Sequence, residues 1–199
     1  MTAETYAEIW EGGLRNDLRE VLFDVETLET RIAELGRQIT ADYAGREPLL
    51  LGILKGSYPF MADLSRVINL PLTVDFMAVS SYGAGTKSSG VVRILKDLDR
   101  SIEGRHVIVV EDIIDTGLTL HYLRETLRGR GPASVEIASL LDKKIVRKGK
   151  ELEDMDARYV GFECPDEFVV GYGLDFKGRY RNLPFIGVLR PEVYAHELS

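Results

Sequence analysis

The chain has 199 residues, with 25 lysines and arginines against 32 aspartates and glutamates, a formal charge of −7. Its length suits one domain with a sizeable core, and 45% apolar with 29% charged residues is an ordinary globular mix that excludes disordered, collagen-like and coiled-coil chains. The acidic balance argues against a protein whose main task is gripping nucleic acid, which needs a dense basic surface.

A single cysteine, Cys164, excludes an internal disulfide and a cysteine-based metal site, and it suits a reducing compartment. The opening MTAETYAEIW carries acids where a signal peptide needs a basic and then an apolar stretch. No apolar run reaches membrane-spanning length. A cytoplasmic soluble protein with no membrane partner is expected.

Asp24 reads as the N-cap of a helix with Val25, Leu28, Ile32, Leu35 and Ile39 at helical spacing and Gly45 as terminator. Residues 48–54 (PLLLGIL) are apolar on both faces, the pattern of a strand buried in a parallel sheet. A second helix follows Lys55-Gly56-Ser57, with Phe60, Leu64, Val67 and Ile68 on one face. Residues 72–79 and 91–95 read as strands around SSYGAGTKSSG, which has too few apolar groups to pack and is expected to be a mobile loop. Residues 107–110 (VIVV) form another buried strand, running through EDIIDTG into a helix that begins near Leu118. Further strands are expected at 135–141, 158–162 and 168–172. Strands alternating with helices, with no repeat or linker, predict one α/β domain built on an open, mostly parallel sheet flanked by helices.

In such sheets ligands bind beyond the carboxyl ends of the strands, so the loops after Leu54, Val110 and Leu141 are expected to converge. Each is chemically loaded. The first carries Lys55-Gly56-Ser57, the second Glu111, Asp112, Asp115, Thr116, Gly117 and Thr119, and the third Asp142, Lys143 and Lys144.

Thr116-Gly117-Leu118-Thr119 at the head of a helix offers free backbone N–H groups, two hydroxyls and a glycine for close approach, all suited to a phosphate. The acids just before it would repel that phosphate, so they must face something else. A ribose diol or a divalent cation accepts adjacent carboxylates, and the combination indicates a sugar phosphate. Singly, Glu111 and Asp112 would be strand-end acids and Asp115 a helix cap; together, directly after an apolar strand, they favour a site. No GxxxxGK[ST] is present, and Gly83-Ala84-Gly85 lacks a third glycine and precedes no helix, so neither a P-loop nor a dinucleotide fold is supported. His106, His121 and His196 are scattered singly, and structural or surface roles are expected for each.

The segment VVEDIIDTGLTL, residues 109–120, resembles the phosphoribosyl-diphosphate (PRPP) signature of type I phosphoribosyltransferases, and its EDIIDTG form resembles the hypoxanthine-guanine, or 6-oxopurine, branch. Four further stretches match in order: LKGS at 54–57 resembles the pyrophosphate loop, and SSYG at 80–83 the catalytic flexible loop. SLLDKK at 139–144 resembles the purine-reading strand end, and PDEFVVGYGLDF at 165–176 the hood over the base.

The resemblance implies purine salvage: transfer of the phosphoribosyl group from PRPP to a 6-oxopurine, with Mg²⁺ as cofactor and a homo-oligomer as the working form. It implies a small hood made by parts of the N- and C-terminal segments. Glu111 and Asp112 would hold the ribose hydroxyls, partly through Mg²⁺, and Asp115 would act on purine N7 as general base. Ile114 would line the site, while Thr116, Gly117, Leu118 and Thr119 would hold the 5′-phosphate. Lys143 would donate to the exocyclic O6, Phe168 would stack on the purine, and the Val169 backbone would meet its edge. Asp175 would bind a second Mg²⁺, Arg181, Lys55 and Gly56 would meet the pyrophosphate, and Ser81-Tyr82 would belong to the lid. The peptide joining Leu54 and Lys55 can be cis in this family. Leu118 departs from the polar or basic residue common at its place, and Cys164 from an aliphatic one.

Read without the resemblance, Phe168 is plain core and Lys143 a solvated charge in the basic stretch 143–150. Two rival readings share the fold: the same enzyme class preferring xanthine, and a PRPP-binding regulator of transcription or RNA. The regulator needs a coherent basic face that this acidic chain lacks. A PRPP synthesiser would need an ATP site, and none is legible.

Overall fold

Asp24 opens the first long helix, α1 (Val25–Asp42), its carboxylate accepting the Thr27 backbone N–H at 2.8 Å. In the computed structural model, which describes residues 9–10, 12–81, 92–144 and 156–195, this helix packs across one face of a six-stranded sheet. Its buried stripe is Leu28, Ile32, Leu35 and Ile39, the helical spacing read from the sequence. Tyr43 N–H donates to Ile39 O to end the helix, and Gly45 follows at φ +75°.

The sheet is made of β2 (Leu49–Leu54), β3 (Thr73–Ser81), β4 (Val92–Lys96), β5 (His106–Ile114), β6 (Ser134–Asp142) and β7 (Tyr159–Glu163), in the spatial order β4-β3-β2-β5-β6-β7. Only β4 runs antiparallel to its neighbour. This is the open, mostly parallel α/β sheet the strand–helix alternation predicted. Alternate side chains of the central strands serve opposite faces. Leu50, Ile108, Val110 and Leu140 meet α1 and α2 (Tyr58–Val67), while Leu51, Ile53, Val107, Val109 and Ile137 meet Leu120, Leu123 and Leu127 of α3 (Leu118–Arg128).

Two sequence expectations shift. On α2 the buried face is Phe60, Met61 and Leu64, whereas Val67, expected on it, is 38% exposed at the helix end; Ile68, just beyond, turns inward instead. The fifth strand, β5, expected to stop at Val110, continues to Ile114, because its ladder with β6 pairs Glu111 with Ser139 and Ile114 with Asp142. The acids at 111 and 112 therefore ride on a hydrogen-bonded strand rather than on a loop.

A second, three-stranded sheet joins segments far apart in sequence: β1 (Leu18–Phe23), β9 (Ile186–Leu189) and β8 (Val169–Val170), all antiparallel, in the order β1-β9-β8. The strand expected at 168–172 is thus two residues long and lies in this sheet. Leu18, Val170, Tyr180, Leu183, Phe185 and Leu189 form its own core. Strands β1 and β9 are not among those expected from the sequence. A short turn, α4 (Pro191–Tyr194), follows β9.

Asp24→Ala should cost about 1 kcal/mol of stability, measured by urea denaturation. Hydrogen bonds from the Thr27 side chain and backbone hold the Asp24 carboxyl below its usual range. Its contribution is therefore present above the ordinary aspartate pKa and fades as pH falls through the folded-state value, so the gap between variant and wild type should close in acid.

Candidate active site

The carboxyl ends of β2, β5 and β6 bring their loops together, as parallel-sheet topology requires. Lys143 N–H donates to Ile114 O at 2.9 Å, tying the two strand ends side by side. The loop after β2 turns at Ser57, whose hydroxyl donates to Ile53 O at 2.7 Å, and the Leu54-Lys55 peptide is cis. Lys55 is exposed at the tip and Gly56 is buried. A Cβ on Gly56 would overlap the Asp112 carboxylate, so the side chain of Asp112 lies directly against the backbone of this loop.

Glu111 and Asp112 are adjacent, partly buried acids. Burial pushes the Glu111 carboxyl well above its usual range, and the neighbouring Asp112 charge adds to the effect. Burial also raises Asp112, against the pull of the Ile113 N–H, 3.0 Å from Oδ1, and of the Arg181 charge. Arg181 offsets only part of the pair's charge, since both carboxyls stay raised. Asp175 faces the same cavity as Asp112, yet among the described residues no three His, Cys, Asp or Glu side chains are placed to hold a metal ion by themselves.

The chain leaves β5 at Asp115, which is exposed, and enters α3 through Gly117, at φ +78° as the N-cap. That left-handed turn is open to glycine with no steric penalty. It leaves the first N–H groups of α3 free to point outward. A cavity of about 120 Å³ sits there, lined by Glu111, Ile113, Ile114, Asp115, Thr116, Gly117, Thr119 and Leu120. Leu118 is not in its wall, and its side chain is 46% exposed.

A second cavity, of about 290 Å³, adjoins the first and shares Asp115 and Ile113 with it; Lys143, Phe168, Val169, Leu174, Asp112 and Asp175 complete its wall. It combines an ammonium, a flat aromatic ring and carboxylates. Lys143 Nζ donates to Glu167 O at 2.7 Å, which leaves two of its three donors for a ligand. Leu174 and Ile113 are wall residues that sequence reading passed over. The paired glycines around Tyr172 were a signal that the chain folds back at Leu174.

The turn carrying Leu174 and Asp175 approaches the loop after β2 just as closely as Asp112 does. Gly173 sits at φ +100°, and a Cβ there would overlap Gly56 O. Arg181 Nη1 donates to Gly173 O at 2.5 Å, and its other terminal nitrogen lies 2.5 Å from Asp175 Oδ1. Asp175 also accepts the Gly178 N–H at 2.6 Å. Ser81 ends β3, Tyr82 lies outside the described residues with the rest of the expected lid, and residues 145–150 of the basic stretch do too.

A model of the phosphoribosyl transferase domain matches residues 20–177. The chain belongs to this phosphoribosyltransferase family. It is 53% identical over 182 residues to the hypoxanthine-guanine phosphoribosyltransferase of Streptococcus agalactiae, covering 92% of this chain and 99% of that protein. It is equally similar to the bifunctional protein TilS/HprT of Listeria monocytogenes, of whose length it spans only 28%. Among solved structures, a hypoxanthine phosphoribosyltransferase from Staphylococcus aureus superimposes with a TM-score of 0.88 at 51% identity, over 93% of this chain and 98% of that one.

Beside the candidate site lies Cys164, whose N–H donates to Asp142 O at 2.9 Å and whose side chain is 5% exposed. Burial pushes its thiol up to about 11. The thiolate is therefore scarce near neutrality, and iodoacetamide at about pH 8 should leave the folded protein unlabelled while labelling it in guanidinium chloride, as read by mass spectrometry.

Proposed function

We propose that the chain transfers the 5-phosphoribosyl group of PRPP to hypoxanthine and guanine, giving the nucleoside monophosphate and pyrophosphate. The observation that carries this reading is the position of Asp115 on the wall shared by the two cavities. One cavity has the free N–H groups of a helix start for a 5′-phosphate. The other has an aromatic ring, an ammonium and an aliphatic side chain for a base. A group between them stands where the sugar and the base would meet. The names of the relatives support the substrate classes, and the sheet β1-β9-β8 is proposed as the hood over the base.

In this reading the turn of Thr116, Gly117 and Thr119 holds the 5′-phosphate, with Leu118 contributing backbone only and Ile114 supporting the turn from the core. Phe168 stacks on the purine, and the Val169 backbone faces its edge. Lys143 donates to O6 of a 6-oxopurine. Adenine carries an amino group there, which would leave the ammonium facing another donor, a mismatch that discriminates strongly. Lys55, Gly56 and Arg181 meet the pyrophosphate.

The reaction is a displacement at the anomeric carbon. The bond from N9 to C1′ forms, the bond from C1′ to the pyrophosphate oxygen breaks, and the N7 proton passes to Asp115. An exposed carboxylate suits this task, because it needs only to accept a proton made acidic as N9 attacks. Glu111 and Asp112 accept from the ribose hydroxyls and hold the sugar as positive charge builds on it.

The donor chemistry fits Mg²⁺. Two crowded carboxylates are only partly offset by Arg181, and Mg²⁺ characteristically takes one or two carboxylates plus substrate oxygens and water rather than a cage made by protein alone. Glu111 and Asp112 would hold one ion and Asp175 a second, and such ions would supply positive charge to offset that of the pyrophosphate.

Asp115→Asn should lower kcat about a hundredfold or more with a much smaller change in KM for PRPP, in an absorbance assay with Mg²⁺, PRPP and hypoxanthine. Unchanged turnover would remove Asp115 from the mechanism. Lys143→Gln should cut kcat/KM for hypoxanthine about ten- to hundredfold, since a charged hydrogen bond is lost. Adenine and uracil should be inert with the wild type. Activity with adenine equal to that with hypoxanthine would sink the assignment of Lys143.

A further inference from the structure

We propose that Tyr194, in α4, is a positioning residue that sets the ring of Phe168 for the purine; the inference rests on the reading of Phe168 as the base-stacking side chain. The Tyr194 ring lies stacked on Phe168, with centroids 5.0 Å apart and planes 24° from parallel. Phe176 meets the same ring edge-on, at 5.5 Å and 89°. Phe168 lines the larger cavity, and neither Tyr194 nor Phe176 does. Two aromatic neighbours thus grip Phe168 from outside the cavity and leave it one surface for a ligand.

Phe168 needs such a grip. It is 37% exposed, at the foot of a strand only two residues long. A ring held loosely would lose rotational freedom on meeting a base, and that loss would weaken binding; a ring already held does not incur it. Stacked and edge-to-face pairs supply this hold through the aromatic quadrupole.

Tyr194 is itself well placed. Val193 N–H donates to Arg190 O at 3.0 Å, Arg190 N–H to Asp17 O at 2.9 Å, and Arg190 Nε to Asn16 O at 3.0 Å. Leu189 N–H donates to Phe168 O at 2.8 Å, so the same short segment secures both the backbone and the ring of Phe168. Tyr194 packs against the core of the second sheet. The C-terminal turn therefore reaches the base site through a chain of two rings. The contact uses the ring of Tyr194 and not its hydroxyl.

The test is steady-state kinetics of the full chain with Mg²⁺, PRPP and hypoxanthine, with the melting temperature of each variant recorded. Tyr194→Ala should raise KM for hypoxanthine roughly two- to tenfold, the worth of one aromatic pair, and leave kcat and KM for PRPP unchanged. Tyr194→Phe should restore wild-type values. Tyr194→Leu keeps an apolar filler without a flat face and should behave as Tyr194→Ala; it carries the test if the alanine variant does not fold. Phe168→Ala, measured in parallel, should raise the same KM at least as much. An unaltered KM for hypoxanthine in Tyr194→Leu, with Phe168→Ala impaired, overturns the positioning role alone. An unaltered KM in Phe168→Ala overturns the base-stacking reading beneath it. A lowered KM in Tyr194→Ala would mean that Tyr194 competes with the base for the ring, and an equal rise in KM for PRPP would mean general loosening; either overturns the inference.

Discussion

Three segments from different parts of the chain meet at Gly56 with almost no space between them, and the site depends on that contact. Asp112 presses its carboxylate against the position a Cβ would occupy on Gly56, and Gly173 brings its own backbone against Gly56 O from the other side. Nothing larger than hydrogen fits at either glycine without displacing a carboxylate or a peptide. The first approach aligns β5 with the loop after β2. The second fastens the turn bearing Leu174 and Asp175, and so the small second sheet, onto the large one. Interiors this dense transmit small displacements rather than absorb them, so the two cavities share one fixed geometry.

That geometry puts like charges together and opposite charges within reach. Glu111 and Asp112 are crowded and desolvated, and both carboxyls are pushed up in pKa as a result. Arg181 answers part of the charge through Asp175, at 2.5 Å, while its other nitrogen braces Gly173 O. The same guanidinium therefore helps to hold the turn and offers charge beside the acids. On the opposite side, Lys143 is held by the Glu167 carbonyl, and the Glu167 carboxylate is in turn 3.0 Å from Arg19 of β1. Exposed pairs of that kind add little stability. Their value is directional: they aim an ammonium into the cavity.

The second sheet supplies Val169 to the apolar wall, with Phe168 just before β8 and Leu174 in the turn after it. Its strand β8 carries Val169 into the larger cavity and positions Phe168 immediately before it. Its outer strand β1 lies near the start of the described residues and its middle strand β9 near their end, so this sheet joins segments far apart in sequence. A segment of two residues is too short to be stable as a strand by itself. It owes its form to β9 and to the aromatic rings of Phe176 and Tyr194 packed against Phe168.

The large sheet, the cap at Asp24 and the run from Glu111 to Thr119 are legible in the amino-acid pattern, because each rests on local rules. Apolar runs make buried strands, a carboxylate caps the helix three residues before its N–H, and a glycine at 117 permits a left-handed turn. Lys143 and Phe168 were legible through motif resemblance, since a lone lysine or phenylalanine carries no local signal. That β5 runs on through its acids follows from folding alone, because a parallel ladder with β6 is a long-range contact. Folding likewise brought Leu174 and Ile113 to the cavity wall, joined β1 to β9 across nearly the whole chain, and laid Tyr194 on Phe168. Those outcomes depend on which backbones can approach without a Cβ between them, and neither spacing nor composition encodes that.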